Sequence, residues 1–574
     1  MAFLLLALWP LAGAEPGYES AFLKVKLAPG RTSIEALSVD SLGKAKLSVN
    51  LLREPAATAG WAFEFSPRRL VMRASGASAK PLTLMFNNII CHATLLGHIN
   101  DDGSVRLPAL LHLPDYGTFR ITVTDANKVS LGYDANRNKG GDFVKVVFPA
   151  GPRVEYAWEV VSIYPGPPSL AQDPRFDGYR RNFLNMFQLN PRVRTLANHS
   201  ASDPAALTFF QYSLMAKYTP PLAEGLRAMD LVRLTLDRHL AGFKSYGMRG
   251  YMDVRPEKDV YPYDSLDTHP ALVLAAVDYA EASGDGVWVS RNYAGIKAWA
   301  DRIVGFDSDH DGLIESPLSG NAGSLLVPPL LRPSNWWDCI DFGHKDAYSN
   351  ALAYRALLGM TRLARVAGRA EDAAAYAGHA QRLKAVYSKT FYNPATGVLA
   401  GWISADGKVH DYYFTFVNGL AISSGLVAPD LANRILDRLL AKMKEVGFQR
   451  FDLGLPGNLI PIRREDYTDT DLRFGGPTKA DGSDGFQIYE NGGASACHVY
   501  WMLQAFYNLG RRKDAETILF PLLEGFEKGN FQGRASNRLT YDWRAWDGTP
   551  HGYEGLLVDN FLALLAVYTG HLGK

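Results

Sequence analysis

The sequence predicts a two-part fold: an N-terminal antiparallel β-sandwich followed by an all-α (α/α)₆ toroid of six helical hairpins. Three observations predict it. The chain has 574 residues, more than a single hydrophobic core supports. Its texture changes from short alternating runs to helical periodicity at Pro165-Gly166-Pro167-Pro168, a run that breaks regular structure. Beyond that break, amphipathic segments follow one another in pairs, as antiparallel hairpins require.

The N-terminus, Phe3-Leu4-Leu5-Leu6-Ala7-Leu8-Trp9 followed by Ala12-Gly13-Ala14, has the apolar run and small residues of a signal peptide over 1–14, so export to the periplasm or medium is expected. Residues 15–165 form the β part. Phe22-Leu23-Lys24-Val25-Lys26-Leu27 and Phe143-Val144-Lys145-Val146-Val147-Phe148 alternate with period two between Gly, Asn and Asp clusters. The helical part occupies 170–574. Its helices are predicted over 175–188, 204–218, 221–241, 269–283, 286–305, 346–367, 370–390, 415–425, 428–446, 494–509, 512–528 and 556–571.

Composition excludes some functions. A formal net charge of +1 with 21% charged residues offers no field of one sign for nucleic acid or an anionic membrane. The three cysteines, Cys91, Cys339 and Cys497, are too scattered for a zinc pattern or a disulfide framework, and are expected as thiols.

The chemistry lies in the inserts between helices. Asn335-Trp336-Trp337-Asp338-Cys339-Ile340-Asp341 sets two indoles beside two carboxylates just before a helix. Indole faces stack on sugar rings, and a carboxyl kept protonated beside them donates to a glycosidic oxygen. Asp338 and Asp341 are therefore candidate acids, with Trp336 and Trp337 on the sugar. Tyr489-Glu490-Asn491-Gly492-Gly493 carries a second carboxylate to a turn whose glycines allow close backbone approach, making Glu490 a candidate catalyst and Tyr489 and Asn491 candidate contacts. Tyr541 to Gly555 is dense in rings and acids, and adds Trp546, Tyr553 and Glu554. In Tyr263-Asp264-Ser265-Leu266-Asp267-Thr268-His269, Asp267 or Thr268 reads as a helix cap, which leaves Asp264 and His269 for sugar hydroxyls. Asp307-Ser308-Asp309-His310-Asp311-Gly312 has the start of an EF-hand loop, but its twelfth position is Leu318 where a Glu is needed, so no metal is assigned and no cofactor is expected.

In order and content, Asp309 to Glu315, Trp337 to Asp341 and Tyr489 to Gly493 resemble the six-hairpin glycosidase superfamily, which includes glucoamylase, trehalase and processing α-glucosidase I type enzymes. The resemblance implies glycoside hydrolysis of an oligo- or polysaccharide by two carboxylates with inversion. Its acid maps onto Asp338 or Asp341. The relatives' late Glu-Tyr pair is Thr540-Tyr541 here, which leaves the base to Glu490 or Glu554. A ring with long rim loops suggests a pocket and exo action, and such loops can also form a groove. Two other readings stay open on the same residues: a polysaccharide lyase using Tyr489, His498, Arg534 and Arg538, and a carbohydrate-binding protein without catalysis.

Overall fold

In a computed structural model of the chain, the residues described are 17–74, 79–87, 92–124, 129–136, 143–152, 154–198, 204–251, 263–316, 334–337, 339–467, 476–531, 540–552 and 556–574. The signal-peptide segment, Cys91, Leu318, Asp338, Arg534, Arg538, Tyr553 and Glu554 lie outside them. The chain divides into two compact units, Met1–Ser162 and Ile163–Lys574.

The first unit is all β. Strands β1 (Gly17–Glu19), β2 (Leu23–Leu27), β3 (Ser33–Val39) and β4 (Ala56–Ala57) make one antiparallel sheet. A second sheet runs β5 (Trp61–Ser66), β6 (Arg69–Ala74), β13 (Glu155–Val161), β10 (Gly117–Val123), β9 (Val105–Leu113), β11 (Ser130–Asn136), β12 (Phe143–Phe148), β7 (Leu82–Asn87), with β8 (Thr94–Ile99) also paired to β9. The period-two pattern predicted from sequence is visible in β2, where Leu23, Val25 and Leu27 are buried and the lysines between them exposed. Trp158 anchors the core, with Phe119 and Phe148 each at 5.1 Å.

The second unit is helical: α1 (Asp177–Asn182), α2 (Phe209–Tyr218), α3 (Ala228–Leu240), α4 (Thr268–Ser283), α5 (Gly286–Val304), α6 (Ala347–Val366), α7 (Ala370–Phe391), α8 (Thr415–Ser423), α9 (Pro429–Glu445), α10 (Val499–Asn508), α11 (Arg512–Glu527) and a closing 3₁₀ segment, Val558–Leu564. Helices α2, α4, α6, α8, α10 and the closing segment each pack on the next, and the closing segment returns to α2, so a ring closes. The intervening helices pack outside it. Helix α8 is apolar nearly all round, as a helix buried on every side must be. It approaches α10 so closely that a Cβ on Gly419 would lie 2.7 Å from the Met502 backbone nitrogen.

Local chemistry sets the helix ends. Asp346 accepts the Tyr348 N–H at 2.8 Å as the cap of α6, Asp285 accepts the Trp288 N–H at 2.9 Å at α5, and Gly284 (φ 65°) stops α4. Several expected helices are shorter. The segment expected over 494–509 starts only at Val499, because Ala494–Ser495 is drawn into a sheet and His498 adopts φ 65°. The segment expected over 556–571 winds as 3₁₀ and π turns, and that over 221–241 begins at Ala228, where the Asp230 carboxylate accepts the Arg227 N–H.

The inserts are also tied together. Leu455–Pro456, Ala494–Ser495, Thr540–Arg544 and Pro550–Gly552 form one small sheet, and Lys345–Asp346, Trp402–Ile403 and Val409–His410 another. These two sheets hold the loops that carry the candidate site.

Candidate active site

The tryptophan loop is closed on itself and hung from two helix ends. Leu266 N–H donates to Ser334 O at 2.7 Å, and Ser334 N–H to Phe342 O at 2.9 Å. Between these ties, Asn335 Nδ2 donates to Asp346 Oδ2 at 2.9 Å and the Trp336 N–H to Asp267 Oδ2 at 2.7 Å. Asp267 therefore does not cap α4 through its side chain, as the sequence predicts; its carboxylate is turned to the loop. Both acids are fully buried. Burial raises the Asp346 carboxyl to about 6 against the bonds from Ser349, Asn335 and Tyr348, and burial together with the Asp346 charge pushes Asp267 well above the ordinary range.

The turn bearing Glu490 meets this loop. Glu490 Oε2 accepts the backbone N–H of Cys339 at 3.1 Å and its thiol at 3.0 Å, and Glu490 is only 1% exposed. Asn491 holds the turn in place, its Oδ1 accepting Asn458 Nδ2 at 3.1 Å and the Ile462 N–H at 3.0 Å. Gly492 has φ 78°, and a Cβ there would come within 2.3 Å of the Phe486 ring.

A ring cluster joins the two segments. Trp543, unremarked in the sequence reading, lies 6.3 Å from Trp336, 5.6 Å from Trp337 and 5.4 Å from Tyr489 between centroids. Trp337, expected to stack on sugar, is buried and stacks on Phe416 at 4.4 Å. Trp546 is likewise not beside the others. It packs on Phe448 and Phe486, and its Nε1 donates to Gly492 O at 2.7 Å, bracing the Glu490 turn. Asp264 and His269 are expected to be available to substrate, yet they pair with each other at 3.2 Å. Burial opposes the Asp264 charge, but His269, the Arg249 N–H and Arg302 outweigh it and hold the carboxyl at about 2. Asp341 is buried, with its N–H on Asp466 O at 2.8 Å.

Further acids converge here that the sequence reading missed. The buried Cys497 thiol is pushed well up, first by desolvation and then by the acidic residues Asp559, Glu490 and Asp542. Asp559 stands in the apolar run Leu556 to Ala566, and a lone carboxylate in such a run was the available signal. Cys339 and Cys497 are both buried thiols.

Asp307, Asp309, Asp311 and Glu315 hold ligand oxygens within 4.8 Å of one another, a hard-oxygen set of the kind calcium takes. Lys345 Nζ bonds Asp309 at 2.7 Å and also Asp311, so a tethered ammonium already balances two of these carboxylates.

The helical ring with its acid and aromatic rim is the architecture of the six-hairpin glycosidases, and residues 230–458 match a family model of that superfamily. Residues 230–458 of the helical unit thus match a six-hairpin glycosidase domain, whose class is that of the glycoside hydrolases. The matching family is described as the bacterial alpha-L-rhamnosidase 6 hairpin glycosidase domain. A search of curated proteins gave no match. Among solved structures, a rhamnosidase from Klebsiella oxytoca with rhamnose bound aligns with TM-score 0.45 at 11% identity over 89% of each chain. A GH78 family rhamnosidase of Bacillus sp. GL1 gives 0.43 at 12% identity, over 88% of this chain and 47% of that one. A GH63 mannosylglycerate hydrolase from Thermus thermophilus in complex with glucose gives 0.41 at 15%, over 65% and 95%. All three scores lie below 0.5, and none bears on activity.

Proposed function

We propose that the protein is an inverting, exo-acting glycoside hydrolase with Asp338 as general acid and Glu490 as general base, and that α-L-rhamnosides are its substrate class. One observation carries the catalytic pair: the Glu490 carboxylate is hydrogen bonded by Cys339, the residue that follows Asp338. Two segments distant in sequence are thereby joined at the carboxylate that activates water. Inversion requires the two carboxyl groups to stand ~6.5–9.5 Å apart, with water between base and anomeric carbon. Trp336, Trp543 and Tyr489 supply the aromatic wall for a pyranose and exclude bulk water. The rhamnoside choice rests on the family that matches residues 230–458. The reading also includes a sandwich arrangement for the β sheets, the domain limits given above, and export of the mature chain.

The test is a panel of 4-nitrophenyl glycosides that includes the α-L-rhamnoside. Glu490→Gln and Asp338→Asn are each expected to lower kcat by roughly 10²–10⁴, while Asp341→Asn, outside the proposed pair, keeps most of its turnover. Hydrolysis that survives in both of the first two variants would remove them from the mechanism.

A further inference from the structure

The loop that follows α5 runs Asp307-Ser308-Asp309-His310-Asp311-Gly312-Leu313-Ile314-Glu315. Its carboxylates fall at positions one, three, five and nine of the EF-hand pattern, and position six is Gly312 at φ 98°, the glycine that the sharp turn requires. One oxygen of each aspartate builds the turn. Asp307 Oδ1 accepts the Gly312 N–H at 3.2 Å, Asp309 Oδ1 the Asp311 N–H at 3.1 Å, and Asp311 Oδ1 the Leu313 N–H at 2.9 Å. The second oxygens of Asp309 and Asp311 hold Lys345 Nζ, and Asp307 Oδ2 takes no part in these bonds.

Acidic clusters are common on surfaces, and local turns account for the three aspartates by themselves. Glu315 is different. It is 4% exposed, and its Oε1 accepts the N–H groups of Ser308 at 2.6 Å and Asp309 at 3.1 Å as well as the Ser308 hydroxyl. Its Oε2 is buried without a hydrogen-bond partner. A buried carboxylate oxygen left unbonded bears its full desolvation cost, and this one does so beside three further acids, with ligand oxygens of all four within 4.8 Å of one another. Among the described residues, Lys345 is the one cation bonded to any of these four groups.

We propose that this loop is a calcium site, in which Asp307, Asp309, Asp311 and Glu315 are the carboxylate ligands and the ion displaces the Lys345 ammonium from Asp309 and Asp311. Calcium takes oxygens at ~2.3–2.6 Å, so ligands on opposite sides of the ion stand ~4.6–5.2 Å apart, a cage that oxygens within 4.8 Å of one another can form. Magnesium, at ~2.0–2.1 Å, draws opposite ligands to about 4.2 Å and demands near-octahedral geometry, which suits a carboxylate-rich turn less well. A divalent ion supplies the missing partner of Glu315 Oε2 and offsets charge that one ammonium leaves uncompensated. It also fastens a segment on which the tryptophan loop leans. The Ile314 N–H donates to Asn350 Oδ1 at 2.8 Å, and Asn350 Nδ2 donates to Ile314 O and to Asp346 O, each at 2.8 Å. Asp346 is the cap that holds Asn335.

The experiment strips the full chain with EGTA, exchanges it into chelator-free buffer, and titrates it calorimetrically with calcium chloride and separately with magnesium chloride. Thermal denaturation is followed with and without each ion. The variants are Asp307→Asn, whose Oδ1 still accepts the Gly312 N–H, together with Glu315→Gln and Lys345→Met. The wild type is expected to bind calcium with a Kd of roughly 10⁻⁵–10⁻³ M, and its Tm to rise with calcium and not with magnesium. Asp307→Asn and Glu315→Gln should each weaken binding roughly tenfold or more, and Lys345→Met should tighten it, since ligand charge sets affinity. Melting in EGTA reports whether each variant is folded, and Asp307→Asn carries the comparison if Glu315→Gln is not. Absence of both heat and a Tm rise in the wild type up to roughly 10 mM calcium, above the weakest such sites, would overturn the proposal. So would an affinity unchanged by the acidic substitutions, or an equal response to magnesium. Calcium binding by Lys345→Met alone would make the ammonium the resident cation of this loop and overturn it too.

Discussion

At the scale of single residues, the site is a set of carboxylates whose environments differ. Asp264 is held ionised by His269 and Arg302, whereas Asp559 has only burial acting on it. The sign of the Asp559 effect follows from linkage. Its folded form keeps a proton up to about pH 8, while the unfolded chain releases it near the ordinary carboxylate value of ~3.9. Between these limits the folded state holds more protons, so this group's contribution to stability falls as pH rises. Measured by thermal denaturation, the Tm of Asp559→Asn relative to wild type should climb between pH 4 and pH 8 and level off above. Its facing groups, Tyr212 and Cys497, stay protonated across that window because burial raises both. A difference independent of pH would show that Asp559 is ionised in the folded protein.

The same scale shows what a sequence conveys about a site. Glu490 and Trp336 stood out because a carboxylate beside paired glycines and an indole beside acids are unusual in a loop. Trp546 stood out for the same reason and proved to be a brace, since density of rings does not reveal which ring faces which. Asp559 was missed because helical periodicity assigns it to an ordinary buried face. Its lack of hydrogen-bond partners is a property of three-dimensional packing.

At the scale of elements, the helix ends do two tasks at once. Asp346 caps α6 and also holds Asn335, and Asp267 holds the next residue, Trp336. Asp346→Ala removes the cap, which costs about 0.5–2 kcal/mol, and frees the tryptophan loop. The expected outcome is a lower Tm together with a kcat loss larger than that stability change explains, since the loop rather than the fold positions the acid. A variant with lowered Tm and wild-type kcat would show that the tether is dispensable. The apolar pattern located the long helices α4 to α7 within a residue or two, because each buries one stripe along its length. It overran at α10, where the residues that look helical up to Val499 are claimed by the small sheet and by the left-handed turn at His498.

At the scale of the whole molecule, two cores of different kinds lie in one chain. The first is built from residues alternating across strands, as around Trp158, and the second from a ring whose last segment returns to its first. The change of period at the Pro-Gly-Pro-Pro run made both legible. Closure of the ring was not, because no local pattern records that Val558–Leu564 packs on α2. Separate cores predict two calorimetric transitions on heating, one of them shifted upward by a bound sugar and the other not. A single cooperative transition that moves as a whole would contradict this. No helix among the described residues is long and apolar enough to cross a membrane.

The most direct test of the central claim, that Glu490 and Asp338 act from opposite faces of a glycosidic bond, is the configuration of the first sugar released. Proton NMR of 4-nitrophenyl α-L-rhamnoside hydrolysis should show the β anomer forming first and the α anomer appearing only as mutarotation proceeds. First formation of the α anomer would contradict the account, because it would require a covalent intermediate on a nucleophile.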